Sequence, residues 1–413
     1  MPSYQIGSAK AEYNADGFKR RETLITQFKN RFSTYGYEQI RTSTFESYDL
    51  YSKLTGTVNK DDMVKVIDSS GKVLVMRPDV TIPITRMVAE GGMPEEELRY
   101  FYIQDVFRST ASTGTKESTQ AGVECLGNNR PETDAEVIML AIHNLKELGF
   151  SNFKIEIGHA GFFKSLIAPA GLNPSEIEQL QSLIQSKNIV EMVPFLEQLS
   201  LTEDLREAMQ AIPMLYGTPR EVMQQISDKL LNEEMHKNLN NLSEIVDILE
   251  DYEVGEHIVL NLGLINNMNY YSDIIFQGFV EQVGHPLLMG GRYNHLGDQY
   301  GVDLPAIGFA MEVDLLQEAL VQKGQISEVT MVPQLIMTYE KSKQKEAFQT
   351  AQFLREDGFT VRIFPESSAV TQKPIDIKIT LSESVNTITT EEDTQTFRNY
   401  QALLDILKQN GGK

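Results

Sequence analysis

Three stretches of this chain combine carboxylates, hydroxyls, amides and glycines in patterns that suit recognition of a small polar molecule. The first, MRPDVTIPITR, carries Arg77, Asp79, Thr81 and Arg86. The second, FRSTASTGTKESTQAGVECLG, carries Arg108, Gln120 and Glu124 in a strand–loop–strand pattern. The third is discontinuous, NNMNYYSDIIFQG with LMGGRYNHLGDQYGVDLPAIGFAMEVDLL. Buried carboxylates such as Asp79 and Glu124, beside Gln120 and Tyr271, would clamp a ligand ammonium and a polar ring, because acceptors in a dry pocket select strongly for donors. Each residue also has a plainer reading. Asp after Pro often caps a helix, Tyr-Tyr suits a packed strand, and Gly290-Gly291 suits a turn. Cys125, with no base nearby in sequence, reads as a small buried side chain. On pattern alone this is a ligand-binding α+β protein.

Other chemistries leave no trace. No G-x-G-x-x-G opens a helix after a strand, and no G-x-x-x-x-G-K-[ST] is present, so the usual nucleotide loops are missing. The six histidines show neither H-x-x-x-H nor any partner C-x-x-C spacing, which argues against a zinc centre. No metal and no cofactor are expected.

The elements that must position these residues come from 413 residues, enough for two or three domains. Hydrophobic residues make up 41% of the chain, which supplies a core and excludes disorder as the main state. Acidic residues number 58 against 37 basic, a net charge of −21 that repels phosphate backbones. A single cysteine, Cys125, forms no internal disulfide, in keeping with a reducing compartment. The start lacks an apolar h-region and no apolar run reaches about 18 residues, so a cytoplasmic protein with no membrane segment is expected.

Along the chain, Leu24, Ile25, Phe28 and Phe32 fall at helical spacing before Gly36. GYEQIRTSTFES reads as a strand, and Ser-Ser-Gly-Lys turns a hairpin between Met63–Ile67 and Val73–Met76. A helix with Ile82, Met87 and Val88 follows, then a strand, a polar loop and a second strand around LRYFYIQDVFRST and AGVECLG. PETDAEVIMLAIHNLKELG is a helix with an acidic start and Gly149 past its end. Clustered strands without βαβ alternation predict a mostly antiparallel sheet. Residues 171–255 change character: 16 acidic and 5 basic residues, with apolar positions at helical spacing, predict an acidic helical insertion. Strand character resumes at HIVLNLGLI, YYSDIIFQGFV and HPLLMGGRYN, before AIGFAMEVDLLQEALVQKG runs from strand into helix. Beyond Gly324 strands and helices alternate, with 10 basic and 12 acidic residues. The expected division is therefore a core from 1–170 and 256–324, the insertion 171–255, and a small C-terminal α/β domain from 325–413.

Taken together, the three stretches resemble a class II aminoacyl-tRNA synthetase core, specifically its histidyl branch. GYEQIRTSTFE resembles motif 1, the dimer-forming element, with Ser43 where that motif has proline. VFRST…TQAGVE resembles motif 2 and PAIGFAMEVDLL motif 3, while NMNYYSDIIF and GGRYNHL resemble the histidine-specific segments. Arg108 matches the motif 2 arginine, an anion or carboxylate contact. Thr110 replaces the glutamate that meets adenine, Leu315 the motif 3 arginine, and Asn266 the catalytic arginine. Charged contacts to developing phosphate charge contribute on the order of 3 kcal/mol each, so their joint loss implies that adenylate formation is gone. No catalytic residue is then expected. The histidine side is retained: by resemblance Asp79, Thr81 and Gln120 would hold the α-amino group, Glu124 and Tyr271 the imidazole, with Tyr270 and Tyr293 lining the pocket.

The acidic insertion and near-neutral C-terminal domain, which resembles a degenerate anticodon-binding domain, lack the basic face that transfer RNA requires. The family that keeps the synthetase fold and the MRPDVT and TQAGVE stretches without activation chemistry is the ATP phosphoribosyltransferase regulatory subunit. That resemblance implies a dimer that assembles with a short-form catalytic subunit, switches on the first step of histidine biosynthesis, and lets L-histidine inhibit it. A stand-alone histidine sensor or adaptor, or a divergent histidyl-tRNA synthetase, are the rival readings.

Overall fold

The computed structural model describes residues 15–52, 58–92, 96–110, 114–265, 270–281, 283–323, 335–368, 377–390 and 393–409. These fall into two compact units, divided between Ile326 and Ser327.

The first unit opens with α1 (Ala15–Thr34), whose Leu24, Ile25, Phe28 and Phe32 are all buried, as their spacing predicts. Next come β1 (Glu38–Gln39), β2 (Phe45–Ser47), α2 (Tyr48–Ser52), β3 (Lys65–Ile67), β4 (Val73–Met76) and α3 (Thr81–Gly91). A long hairpin, β5 (Leu98–Thr110) and β6 (Gly114–Leu126), leads into α4 (Pro131–Glu147), β7 (Phe153–His159) and α5 (Ala160–Ile167). The 171–255 segment contributes α6 (Pro174–Gln185), α7 (Ile189–Glu197), α8 (Glu203–Ala211), β8 (Tyr216–Gly217), α9 (Pro219–Ile226) and α10 (Glu233–Asp251). The unit closes with β9 (Ile258–Asn261), β10 (Ile274–Val280), β11 (Leu288–Arg292), β12 (Ala306–Glu312) and α11 (Val313–Gln322).

Nine of these strands form one sheet, ordered β1-β5-β6-β12-β11-β10-β7-β9-β8. Only the β1–β5 and β7–β9 pairs are parallel, so the unit is α+β with a mainly antiparallel sheet. Helices α1, α4 and α11 cover one face, with Phe32, Ile138 and Leu316 fully buried. Apolar residues of α6 to α10, including Leu180, Met209 and Leu242, belong to that same core. The insertion is thus welded to the sheet and adds β8 to its edge. A second apolar cluster, with Tyr51, Val75, Ile82 and Tyr102, lies under α3.

Three local expectations change. GYEQIRTSTFES is not one strand: β1 joins the large sheet and β2 a three-stranded one, ordered β2-β4-β3. Between them the Thr42 and Ser43 carbonyls accept from the buried Arg77 guanidinium at 3.1 and 2.8 Å, which draws them out of any ladder. Strand structure runs to Thr110 and resumes at Gly114, so the two strands take up most of the expected polar loop, and residues 111–113 lie outside those described. Tyr270 and Tyr271 precede β10 in a turn, where Ser272 N donates to the Arg292 carbonyl at 2.8 Å and Asp273 accepts from Ala160 N.

The second unit holds β13 (Leu335–Tyr339), α12 (Gln344–Glu356), β14 (Val361–Pro365), β15 (Ile377–Leu381), β16 (Asn386–Thr389), β17 (Thr394–Phe397) and α13 (Tyr400–Gln409). Its sheet, β14-β13-β15-β16-β17, is parallel across the first three strands and ends in a β16–β17 hairpin that sequence reading leaves unassigned. Among the described residues no helix is long and apolar enough to cross a membrane.

Candidate functional site

A cavity of about 260 Å³ opens on the large sheet, between β6, β11, β12 and the start of α3. All eight residues singled out for recognition line it: Asp79, Thr81, Arg108, Gln120, Glu124, Tyr270, Tyr271 and Tyr293. They come from four separate parts of the chain, and the sheet order is what unites them.

Glu124 projects from the centre of β6 and is only 2% exposed. Its Oε1 accepts from Thr81 Oγ1 at 2.6 Å and its Oε2 from Tyr293 OH at 2.5 Å. Burial pushes the carboxyl up to about 7, an effect the two hydroxyl donors oppose and nearby Asp79 reinforces. Its oxygens fit only because Gly308 sits opposite on β12. Gly290 on β11 is similarly confined, since a β-carbon there would lie 2.5 Å from the Gly308 carbonyl. Neither glycine's role is readable from its sequence position, although a glycine inside a strand does signal close approach.

The aromatic wall is a set of three phenols. Tyr270 stacks on Tyr293 with ring centres 5.3 Å apart and meets Tyr271 edge-on at 4.8 Å. Burial, with Glu124 next, raises the Tyr271 and Tyr293 phenols, so they serve as neutral donors and acceptors. The Tyr271 carbonyl is anchored by Lys164 Nζ of α5 at 2.7 Å.

At the other end, Asp79 Oδ1 accepts from Ile82 N at 2.9 Å, a capping contact to the first turn of α3 made from the residue before the N-cap Val80. The plain reading of Asp79 therefore holds alongside its place in the cavity wall. Burial pushes its carboxyl up to about 6, against the Ile82 hydrogen bond and the Arg108 charge. Arg108 is held through Nε, which donates to the Pro78 carbonyl at 2.8 Å. Gln120 Nε2 donates to Glu312 Oε1 at 2.7 Å, leaving its amide oxygen as the acceptor it can offer. Glu312 is a lining residue that sequence reasoning misses; it is the register partner of Gln120 across β6 and β12, 192 residues away. Thr81 has spent its donor on Glu124 but keeps lone pairs.

Three carboxylates and one guanidinium therefore face a small, half-apolar space. That arrangement suits a ligand that carries positive charge and ring N–H donors, with one anionic group for Arg108. Of the replaced synthetase positions, Thr110 ends β5, and Leu315 packs half-buried against the core beneath α11, away from the cavity wall. Asn266 lies outside the described residues. Among the described residues no group of three or more His, Cys, Asp or Glu is arranged to hold a metal.

The model of the histidyl-tRNA synthetase family matches residues 11–316. An ATP phosphoribosyltransferase regulatory subunit from Oceanobacillus iheyensis is 46% identical over 393 residues, covering 95% of this chain and 96% of the relative. One from Ruminiclostridium cellulolyticum is 34% identical over 402 residues, covering 93% and 95%. Among solved structures, an ATP phosphoribosyltransferase regulatory subunit/histidyl-tRNA synthetase from Bacillus halodurans C superposes with a TM-score of 0.77 at 26% identity, covering 89% of this chain and 95% of that one. Histidyl-tRNA synthetase from Nostoc sp. PCC 7120 reaches the same TM-score at 14% identity, over 99% and 100% of the two chains, which shows the shared fold. The chain thus has a histidyl-tRNA synthetase-like fold and belongs to the family of ATP phosphoribosyltransferase regulatory subunits.

Proposed function

We propose that this chain is a non-catalytic subunit that activates a short-form ATP phosphoribosyltransferase catalytic subunit and makes it sensitive to L-histidine. The observation that carries this reading is Glu124, buried between the Thr81 and Tyr293 hydroxyls in a cavity that also holds Asp79. Histidine offers what these acceptors lack: an ammonium for Asp79, Thr81 and Gln120, ring N–H for Glu124 and Tyr271, and a carboxylate for Arg108. Thr110 and Leu315, where a synthetase has charged groups, support the absence of amino-acid activation.

Feedback then requires that the complex exist in two states with different affinity for histidine, since a ligand shifts an equilibrium only by its differential binding. A subunit dimer built on the motif 1 region, in the cytoplasm and without transfer RNA, is the form in which the protein would work.

Reconstitution tests this directly. Purified protein is mixed with the short catalytic subunit from the same organism, and phosphoribosyl-ATP formation is followed with and without histidine. Activity that appears only in the mixture and falls on adding histidine supports the reading. Histidine-dependent exchange of pyrophosphate into ATP by the chain alone would overturn it in favour of a working synthetase.

A further inference from the structure

Among the described residues eleven buried side-chain polar atoms have no hydrogen-bond partner, and five of them share one place: Glu46 Oε1, Tyr51 OH, Asp79 Oδ2, Arg86 Nε and Tyr300 OH. They converge beneath α3 from four elements. Glu46 comes from β2, Tyr51 from α2, Arg86 from α3, and Tyr300 from the short 3₁₀ turn Gly297–Tyr300 that packs on α3. Tyr51 and Tyr300 lie within electrostatic reach of one another and of both Asp79 and Glu46. One contact closes the group: Arg86 Nη2 meets Glu46 Oε2 at 2.9 Å. Apolar Val75, Val80 and Ile82 share a buried cluster with Tyr51.

Five orphaned polar atoms are far more than chance would gather at one spot, because buried polar groups are nearly always satisfied by protein or ordered water. Donors and acceptors are both represented here, which is the composition that holds internal water. Asp79 is the member that also belongs to the ligand cavity. Its Oδ1 is fixed by Ile82 N, while its second oxygen is one of the five unpartnered atoms of this group.

We propose that Tyr51 and Tyr300 are positioning residues for Asp79, their unpartnered hydroxyls acting through bridging water to orient its carboxylate toward a ligand's α-ammonium. The inference rests on the histidine-pocket reading and deepens it, by assigning recognition of the amino group to a set of residues outside the cavity wall. The charged groups facing Asp79 are Arg108, Arg77 and Glu46. Arg77 is committed to the Thr42, Ser43 and Asp105 carbonyls and Arg108 Nε to Pro78. Of the phenols within electrostatic reach of Asp79, which include Tyr102 and Tyr270, Tyr51 and Tyr300 are the two with a buried hydroxyl that has no partner.

The test compares two ligands that differ only in the amino group, L-histidine and imidazole-4-propionate. Their affinities for the full chain, alone and in the reconstituted complex, are measured by titration calorimetry for the parent, Tyr300→Phe and Tyr51→Phe. The expected result is a roughly tenfold loss of histidine affinity in each variant, the scale of one hydrogen bond to a charged group, with imidazole-4-propionate unchanged. Thermal melting of each variant checks the fold, and a merely structural role would weaken both ligands together. A parent that favours histidine, with variants that keep the full preference or lose both ligands alike, overturns the inference alone. A parent that binds neither ligand, or binds both equally, overturns the pocket reading and the inference with it.

Discussion

Gly308 lies opposite Glu124 across β12 and β6, and a β-carbon at position 308 would fall 1.9 Å from Glu124 Oε2 and 2.4 Å from the Val123 carbonyl. The second of these neighbours is backbone and cannot move aside cheaply. Gly308→Ala is therefore expected to push Glu124 off the Thr81 and Tyr293 hydroxyls. We expect a loss of stability of about 1–3 kcal/mol, read by urea unfolding, and loss of histidine inhibition in the reconstituted complex. A variant that folds with inhibition intact would show that Glu124 does not hold the effector.

Glu124→Gln separates charge from shape. The unfolded carboxyl ionises near 4.5 and the folded one near 7, so the folded state loses relative stability as pH rises through that window. The shift corresponds to on the order of 3 kcal/mol for the ligand-free protein. The glutamine variant lacks this term. It should gain stability over the parent at about pH 8 and match it more closely at about pH 5 in urea titrations, by the linkage just given. Histidine inhibition should weaken at the same time, because the ring acceptor has lost its charge.

Much of this fold was legible from spacing and turn chemistry, where the deciding contacts are local. The α1 stripe and the Gly149 helix stop are of that kind. So is the Ser-Ser-Gly-Lys turn, which the structure shows is closed by Asp68 Oδ1 accepting from Ser70 N and Lys72 N. Residues that depend on long-range partners were not. Glu312 matters through Gln120, 192 residues away, and Arg292 through Asp134, 158 away, and neither pairing leaves a periodic mark. Tyr270-Tyr271 misleads for a related reason: its β-propensity is high, but the Arg292 carbonyl and α5 hold the following residues in a turn. Residue chemistry marks Asp79, Gln120, Glu124 and Tyr271 one by one, but only the family resemblance ties their stretches into one site, because no local rule connects them.

Asp79 both caps α3 and faces the cavity, and Asp79→Asn distinguishes the two roles. Asparagine caps as well as aspartate and also removes a carboxyl that burial raises to about 6, so the variant should be at least as stable as the parent above about pH 6 and match it more closely at about pH 4. The ammonium partner loses its charge, however, and histidine affinity should fall by roughly ten- to a hundredfold, the scale of a hydrogen bond to a charged group. Calorimetric titration of histidine reads the second effect and urea unfolding the first. Unchanged affinity would leave Asp79 as a cap only.

Arg292 and Asp134 form a buried ion pair, 1% and 3% exposed at their side chains, with the guanidinium also donating to the Asn128 carbonyl at 2.7 Å. Arg292 precedes Tyr293, and its carbonyl accepts from Ser272 N, so the pair supports the loop that carries the cavity tyrosines. Burial outweighs the guanidinium and pushes the Asp134 carboxyl up to about 6. The pair therefore gains little over well-packed apolar side chains, whereas removing one partner strands the other. Arg292→Met alone should destabilise by about 3–5 kcal/mol, and adding Asp134→Leu should restore much of that loss. The deficit of the single variant should shrink as pH falls toward about 5, where Asp134 takes up a proton in the folded state and its stranded charge disappears. Urea unfolding of the three variants across pH reads all of this. Equal destabilisation in the single and double variants would mean that the Asn128 contact, and not the charge pair, is what Arg292 supplies.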